Sequence, residues 1–181
     1  SVLIFGLGGM GLSIAYAASL VSAYPIVGID IHQEKLDLAK KFGVTHTLMS
    51  NSKTIDNDLK DIFENKGPEV LFETTGNSKV MERAYELTPQ DGKTVFVGVP
   101  NEKISIYTLP LAFNKSLLVS QGGQSIPDLD IPRYVRLTKN NKINFDKFIT
   151  HEFELTEINK ALDLFRSGKA GRIILKINKE N

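Results

Sequence analysis

Near one end of the 181-residue sequence, Gly6, Leu7, Gly8, Gly9, Met10 and Gly11 fit the spacing G-x-G-x-x-G. The run follows an apolar stretch, Val2 to Phe5, and leads into small and apolar residues from Leu12 to Ala23. Glycines at this spacing suit one piece of chemistry, the close approach of main chain to a diphosphate. Gly6 permits a tight turn out of a strand, Gly8 lets a pyrophosphate reach the backbone, and Gly11 lets the next helix lie close against the strand. The start of that helix then offers free N–H groups and partial positive charge to phosphate oxygens.

Asp30 stands 19 residues after Gly11. An acid at that place can accept hydrogen bonds from both hydroxyls of an adenosine ribose, and it would repel a 2′-phosphate. The cofactor expected is therefore NAD rather than NADP. A blander role is also open to Asp30, capping the helix that begins near His32.

These residues need a strand, a turn and a helix in sequence, and the chain supplies that rhythm repeatedly. Buried-strand patterns are Val2 to Phe5, Pro25 to Asp30, Thr45 to Met49, Glu69 to Thr74, Thr94 to Val99 and Leu117 to Ser120. Helical patterns between them are Leu12 to Ala23, His32 to Phe42, Ile55 to Asn65 and Lys79 to Leu87. Gly43 and the pair Gly67 and Pro68 stop two of these helices. Alternation of this kind gives α/β architecture, a Rossmann doubly wound parallel six-stranded sheet with its ligand at the carboxyl ends of the strands. After Gly122 and Gly123 the rhythm changes to helix (Ile131 to Thr138), strand (Ile149 to Phe153), helix (Thr156 to Ser167) and strand (Arg172 to Ile177). Residues 1–123 are thus expected to form an NAD-binding domain, and residues 124–181 a C-terminal helix-strand-helix-strand segment.

Composition narrows the function classes. Net charge is +1 from 22 basic and 21 acidic residues, without a long block of one sign, so neither nucleic acid nor a membrane surface is an expected partner. No stretch has the length of an apolar span, and the first apolar run meets its glycines too early for a secretory signal. Cysteine is absent, which excludes disulfides and thiolate chemistry and fits a reducing, cytoplasmic setting.

Several stretches together resemble the medium-chain, zinc-type alcohol dehydrogenase family. They are Gly6 to Gly11, Val27 to Asp30, Leu71 to Gly76, Phe96 to Pro100, Ile149 to His151 and Leu164 to Arg172. The likeness is collinear over nearly the whole chain. It implies a cofactor domain and a C-terminal segment, preceded in complete members by a GroES-like catalytic domain, so the chain is expected to be a fragment. It further implies NAD contacts at Gly6, Leu7, Gly8, Gly9, Met10 and Gly11. Asp30 and Ile31 would hold the adenosine ribose, with Lys35 beside the same sugar. His32 would lie near the adenosine, or else be a solvated histidine at a helix start. Thr74, Thr75 and Gly76 would pass under the adenine and its ribose. Val97, Gly98 and Val99 would present backbone groups to the nicotinamide carboxamide. Arg172 would contact the pyrophosphate, the alternative being an ordinary charge at a strand start.

The family's zinc is held by cysteine, histidine and a further cysteine or acid from the part that would precede this chain. Here the histidines are His32, His46 and His151, far apart, so no metal site and no catalytic residue is expected. The implied activity of the complete enzyme is hydride transfer between an alcohol or polyol and NAD. The implied assembly is a homodimer joined through a sheet edge supplied by Ile104 to Thr108 and Leu117 to Ser120.

Other chemistry fits less well. A G-x-S-x-G elbow and a Gly-Lys-Ser/Thr ending to the glycine run are both missing, which argues against a hydrolase and a P-loop. Glu73 at a strand end suggests a general base, or a carboxylate satisfied by backbone donors. Two further readings are a free-standing NAD(H) sensor, and an S-adenosylmethionine-dependent methyltransferase built on the same sheet.

Overall fold

The computed structural model describes residues 1–177. Six strands, β1 (Val2–Phe5), β2 (Ile26–Asp30), β3 (His46–Met49), β4 (Val70–Glu73), β5 (Lys93–Phe96) and β6 (Ser116–Val119), form one parallel sheet. Their order is β3-β2-β1-β4-β5-β6. Helices α1 (Gly9–Leu20), α2 (Gln33–Lys40), α3 (Ile55–Ile62) and α4 (Ser78–Leu87) connect them. The sheet is doubly wound: the chain runs outward from β1 through β2 to β3, then returns to start again at β4. The strand order therefore reverses between β1 and β4, which leaves a crevice at their carboxyl ends.

The strands form where β-branched and apolar residues are buried on both faces. Every residue of β1 and β2 is buried, as parallel strands covered by helices require. One face carries Leu3, Phe5, Val27, Ile29, Leu71 and Phe96 against Ile55, Leu59, Phe63, Met81, Ala84 and Tyr85. The other takes α1, whose Leu12, Ala15 and Ala18 are buried.

Several expected elements shift or end early, for local reasons. Helix α1 begins at Gly9 rather than Leu12, because Gly8 already serves as its extended N-cap (φ −72°, ψ −167°). It ends at Leu20, and Ser22 with φ 59° turns the chain away before Ala23. Strand β5 stops at Phe96 rather than Val99, because the N–H groups of Val97 and Gly98 both donate to the Glu73 carbonyl (2.8 and 3.0 Å) and curl the chain over the end of β4. Residues 104–108 form no strand. The Ser105 N–H donates to the Glu82 carboxylate (2.8 Å), and the Tyr107 carbonyl accepts from the Tyr85 hydroxyl (2.9 Å), so side chains of α4 take the groups a neighbouring strand would have used. The edge strand on this side of the sheet is β6, with Leu118 and Val119 exposed.

The chain divides into two compact units between Ser120 and Gln121. The second contains α5 (Pro127–Lys139), β7 (Ile149–Glu154), α6 (Ile158–Arg166) and β8 (Arg172–Lys176). Strands β7 and β8 pair in parallel, and α6 packs on both of them. Helix α5 starts a turn before the expected Ile131, because Pro127 is tolerated in a first turn and Asp130 accepts from the Ile126 N–H (2.8 Å). Among the described residues no helix is long and apolar enough to cross a membrane.

Candidate nucleotide-binding cleft

A cleft of about 410 Å³ opens at the carboxyl ends of β1, β2 and β4. The glycine turn forms one wall. Gly6 has φ +86°, and a Cβ there would lie 2.7 Å from the Thr74 hydroxyl oxygen. A Cβ on Gly11 would lie 1.9 Å from the Gly6 carbonyl oxygen, so α1 and the end of β1 approach as closely as main chain allows. Around Gly8 the situation is reversed, because among the described residues no atom beyond its chain neighbours lies within 4 Å of an added Cβ. Two of the three glycines are thus required by the protein's own packing. The third faces open space in the cleft. No side chain caps the first turn of α1, and no acid stands in it, so its N–H groups remain available to an anion.

Asp30 closes the opposite wall from the end of β2. It is buried, at 6% exposure, yet lines the cleft. One carboxylate oxygen, Oδ2, accepts from the Leu7 N–H (2.7 Å), and Oδ1 accepts from the His32 N–H (3.0 Å). The second bond holds the residue ahead of α2 but does not cap it, since the N-cap is His32 with no side-chain cap bond, so the capping role that the sequence left open is not the one found. The first pins the glycine turn to β2. A carboxylate offers about four acceptor sites, so two bonds leave it able to accept hydroxyls as well. Lys35 and Ile31 line the cleft beside it, together with His32.

The floor comes from the segment after β4. The Thr74 hydroxyl donates to the carbonyls of Phe5 and Gly6 (both 3.0 Å), which ties β4 to the turn. Glu73 is fully buried. Its Oε1 accepts from the Thr75 N–H (2.6 Å) and from the Thr75 hydroxyl, and Oε2 accepts from the Gly76 N–H (3.3 Å). This carboxylate is satisfied by its own loop, the second of the two readings given above, and it does not line the cleft.

Of the sequence-derived positions, Gly6, Gly8, Gly9, Met10, Asp30, Ile31, Lys35, Thr74 and Thr75 meet around this one space. Leu7 and Gly11 lie buried beneath it. Gly76, Val97, Gly98 and Val99 form an adjoining layer. A Cβ on Gly76 would lie 2.6 Å from the Val99 carbonyl oxygen, and one on Gly98 would lie 2.2 Å from the Gly76 nitrogen. Arg172 belongs to the second unit, where it is the exposed first residue of β8. Sequence reasoning missed Ser50, Asn77 and Val80, which also line the cleft. Two of them carried a usable signal. Ser50 directly follows a strand at its carboxyl end, and Asn77 is the N-cap of α4, accepting from the N–H groups of Lys79 (3.0 Å) and Val80 (3.3 Å).

Among the described residues no group of three or more His, Cys, Asp or Glu could hold a metal ion. The described residues therefore do not fit zinc.

Comparison with known proteins gives consistent matches. A family described as zinc-binding dehydrogenase matches residues 9–140. Alcohol dehydrogenase-like 5 of Arabidopsis thaliana is 35% identical over 185 residues, covering 99% of this chain and 47% of that protein. Alcohol dehydrogenase 1 of Cenchrus americanus is 35% identical over 182 residues, covering 98% of this chain and 48% of that protein. Among solved structures, benzyl alcohol dehydrogenase from Acinetobacter calcoaceticus superimposes with a TM-score of 0.89 at 29% identity, over 98% of this chain and 49% of that one. The chain spans about half the length of the curated relatives it matches.

Proposed function

The chain belongs to the zinc-binding dehydrogenase family, and from that premise we propose that it is the NAD(H)-binding portion of an oxidoreductase acting on an alcohol or polyol. The observation that carries this reading is the pairing of an open Gly8 with the Asp30 carboxylate across one cleft. Gly8 and the first turn of α1 would receive the pyrophosphate. Asp30 would accept the adenosine ribose hydroxyls, with Lys35 at the same sugar and Ser50 lining that end. Gly76, which the resemblance puts under the adenine and its ribose, packs against Gly98 and Val99, and with them and Val97 it would lie toward the nicotinamide.

When bound, the dinucleotide supplies a hydride acceptor or donor to the substrate carbon. This chain's residues hold the reactants in register, a service worth about 7–11 kcal/mol of barrier in favourable cases. Asp30 also sets cofactor choice. Two unit charges 4 Å apart repel by about 4 kcal/mol at an effective dielectric of 20, so a 2′-phosphate beside this carboxylate is strongly disfavoured. Oxygen activation needs groups that the described residues do not offer, so the relatives' remaining half is the proposed source. We further assign β6 as the contact edge of a homodimer, since an apolar edge strand invites pairing. The cysteine-free composition suits a cytoplasmic setting.

Calorimetric titration with NADH, NADPH and S-adenosylmethionine tests the reading. The expected result is NADH binding that weakens sharply in Asp30→Ala. NADPH binding as tight as NADH would overturn the cofactor assignment, and alcohol turnover by this polypeptide alone would overturn its proposed dependence on a second half.

A further inference from the structure

A buried charge is costly unless every lone pair is used, and a well-packed apolar residue often serves stability equally well. Glu73 is such a charge. It is fully buried, and no cation stands within ion-pair distance among the described residues. Its partners come from the two loops at the ends of β4 and β5. The carboxylate takes the Thr75 N–H and hydroxyl on Oε1 and the Gly76 N–H on Oε2, while its own carbonyl takes the N–H groups of Val97 and Gly98. Gly98 sits so close that a Cβ there would lie 2.8 Å from Oε2. Five donor groups from two loops therefore converge on one residue.

Strand order says which part of a ligand those loops would meet. Asp30, Lys35 and Ser50 place an adenosine half over β2 and β3, and the glycine turn after β1 places the diphosphate. The other half of a dinucleotide must then continue across the crevice, over β4 and β5. We propose that Glu73 is a positioning residue that clamps the 74–76 and 97–99 loops into one rigid support for the nicotinamide half. This rests on the reading of the cleft as a dinucleotide site.

Glu73→Gln separates this role from general structural support. The glutamine oxygen can still accept both Thr75 donors, so the cleft floor under the adenosine half keeps its contacts. Its NH₂ group would instead face the Gly76 N–H, donor against donor; the Glu73 carbonyl keeps the Val97 and Gly98 amides, so the loss falls on Gly76, the residue that packs against Gly98 and Val99 of the other loop. NADH and ADP-ribose, which lacks the nicotinamide, are titrated against wild type and variant. The expected result is ADP-ribose affinity within about twofold of wild type and NADH affinity reduced about tenfold or more, equivalent to roughly 1.4 kcal/mol. Gly98→Ala, whose Cβ would lie 2.2 Å from the Gly76 nitrogen and 2.8 Å from Oε2, disturbs the same junction from the other loop and is expected to reproduce the split, so the proposal stands or falls even should Glu73→Gln not fold. Parallel loss of both ligands, or loss of neither, would overturn the role of Glu73 while leaving the cofactor reading intact. A wild-type chain that binds neither ligand would overturn both.

Discussion

Gly8 and Gly11 lie three residues apart, and the same methyl group added to each is expected to do opposite things. In Gly11→Ala the new Cβ would sit 1.9 Å from the Gly6 carbonyl oxygen and 2.9 Å from the carbonyl carbon. Ordinary contacts need about 3.5 Å, so α1 must back away from β1 by more than an ångström. The obstacle is main chain in a turn held by the Thr74 hydroxyl, and it cannot swing aside. Overpacking of this kind costs about 1–3 kcal/mol, and this contact belongs at the upper end. For a unit of this size that lowers the melting temperature by about 10 °C or more. In Gly8→Ala the Cβ meets no atom of the described residues within 4 Å beyond its chain neighbours, and φ of −72° is ordinary for alanine. Weaker N-capping costs roughly 0.5–1 kcal/mol, and reduced freedom of the unfolded chain returns about as much. Melting temperature should barely move. NADH affinity should fall at least about tenfold, because the methyl group occupies space that a pyrophosphate needs. Thermal unfolding by circular dichroism and NADH titration by calorimetry read the two quantities separately. A Gly8→Ala chain that binds NADH like wild type would refute the cleft assignment, and a Gly11→Ala chain that melts like wild type would refute the close-approach argument.

Asn77→Ala removes the acceptor for two N–H groups of α4, so stability should drop by about 1 kcal/mol in denaturant unfolding. Leu118→Glu puts a charge on the exposed edge strand and is expected to leave the melting temperature unchanged while shifting sedimentation toward monomer. Lys115 is buried with its ammonium 4.1 Å from the centre of the Tyr85 ring. Burial pushes its pKa below the usual 10.5, with Glu86 opposing weakly. The unfolded chain then holds that proton more tightly than the folded one, so stability rises with pH up to the unfolded value. Lys115→Met should flatten that rise. The comparison belongs below pH 10, because burial raises the Tyr85 pKa above its usual 10.0 and adds the opposite slope beyond it.

The sheet was legible because buried parallel strands and their helices leave strong local patterns. Val2 to Phe5 and the small-residue run after it could hardly be anything else. The glycine turn and Asp30 were legible because their spacing is set by the length of one β-α-β unit. What the sequence hid depends on contacts between distant segments. Ile104 to Thr108 has a strand's residue types, yet Glu82 and Tyr85, about 22 residues away, claim its backbone groups. The early end of β5 is likewise decided by the Glu73 carbonyl on another strand. Ser50 and Asn77 were missed because a short polar residue at an element end is common, and only the folded sheet brings these two to one space.

Asp30 carries a lesson for anyone wishing to convert this chain to the phosphorylated cofactor. Its carboxylate holds the Leu7 and His32 amides as well as facing the cleft. Discarding the charge to admit a phosphate would also untie the glycine turn. Redesign therefore has to supply a neutral acceptor at the same spot, such as serine or asparagine, before any arginine is added nearby.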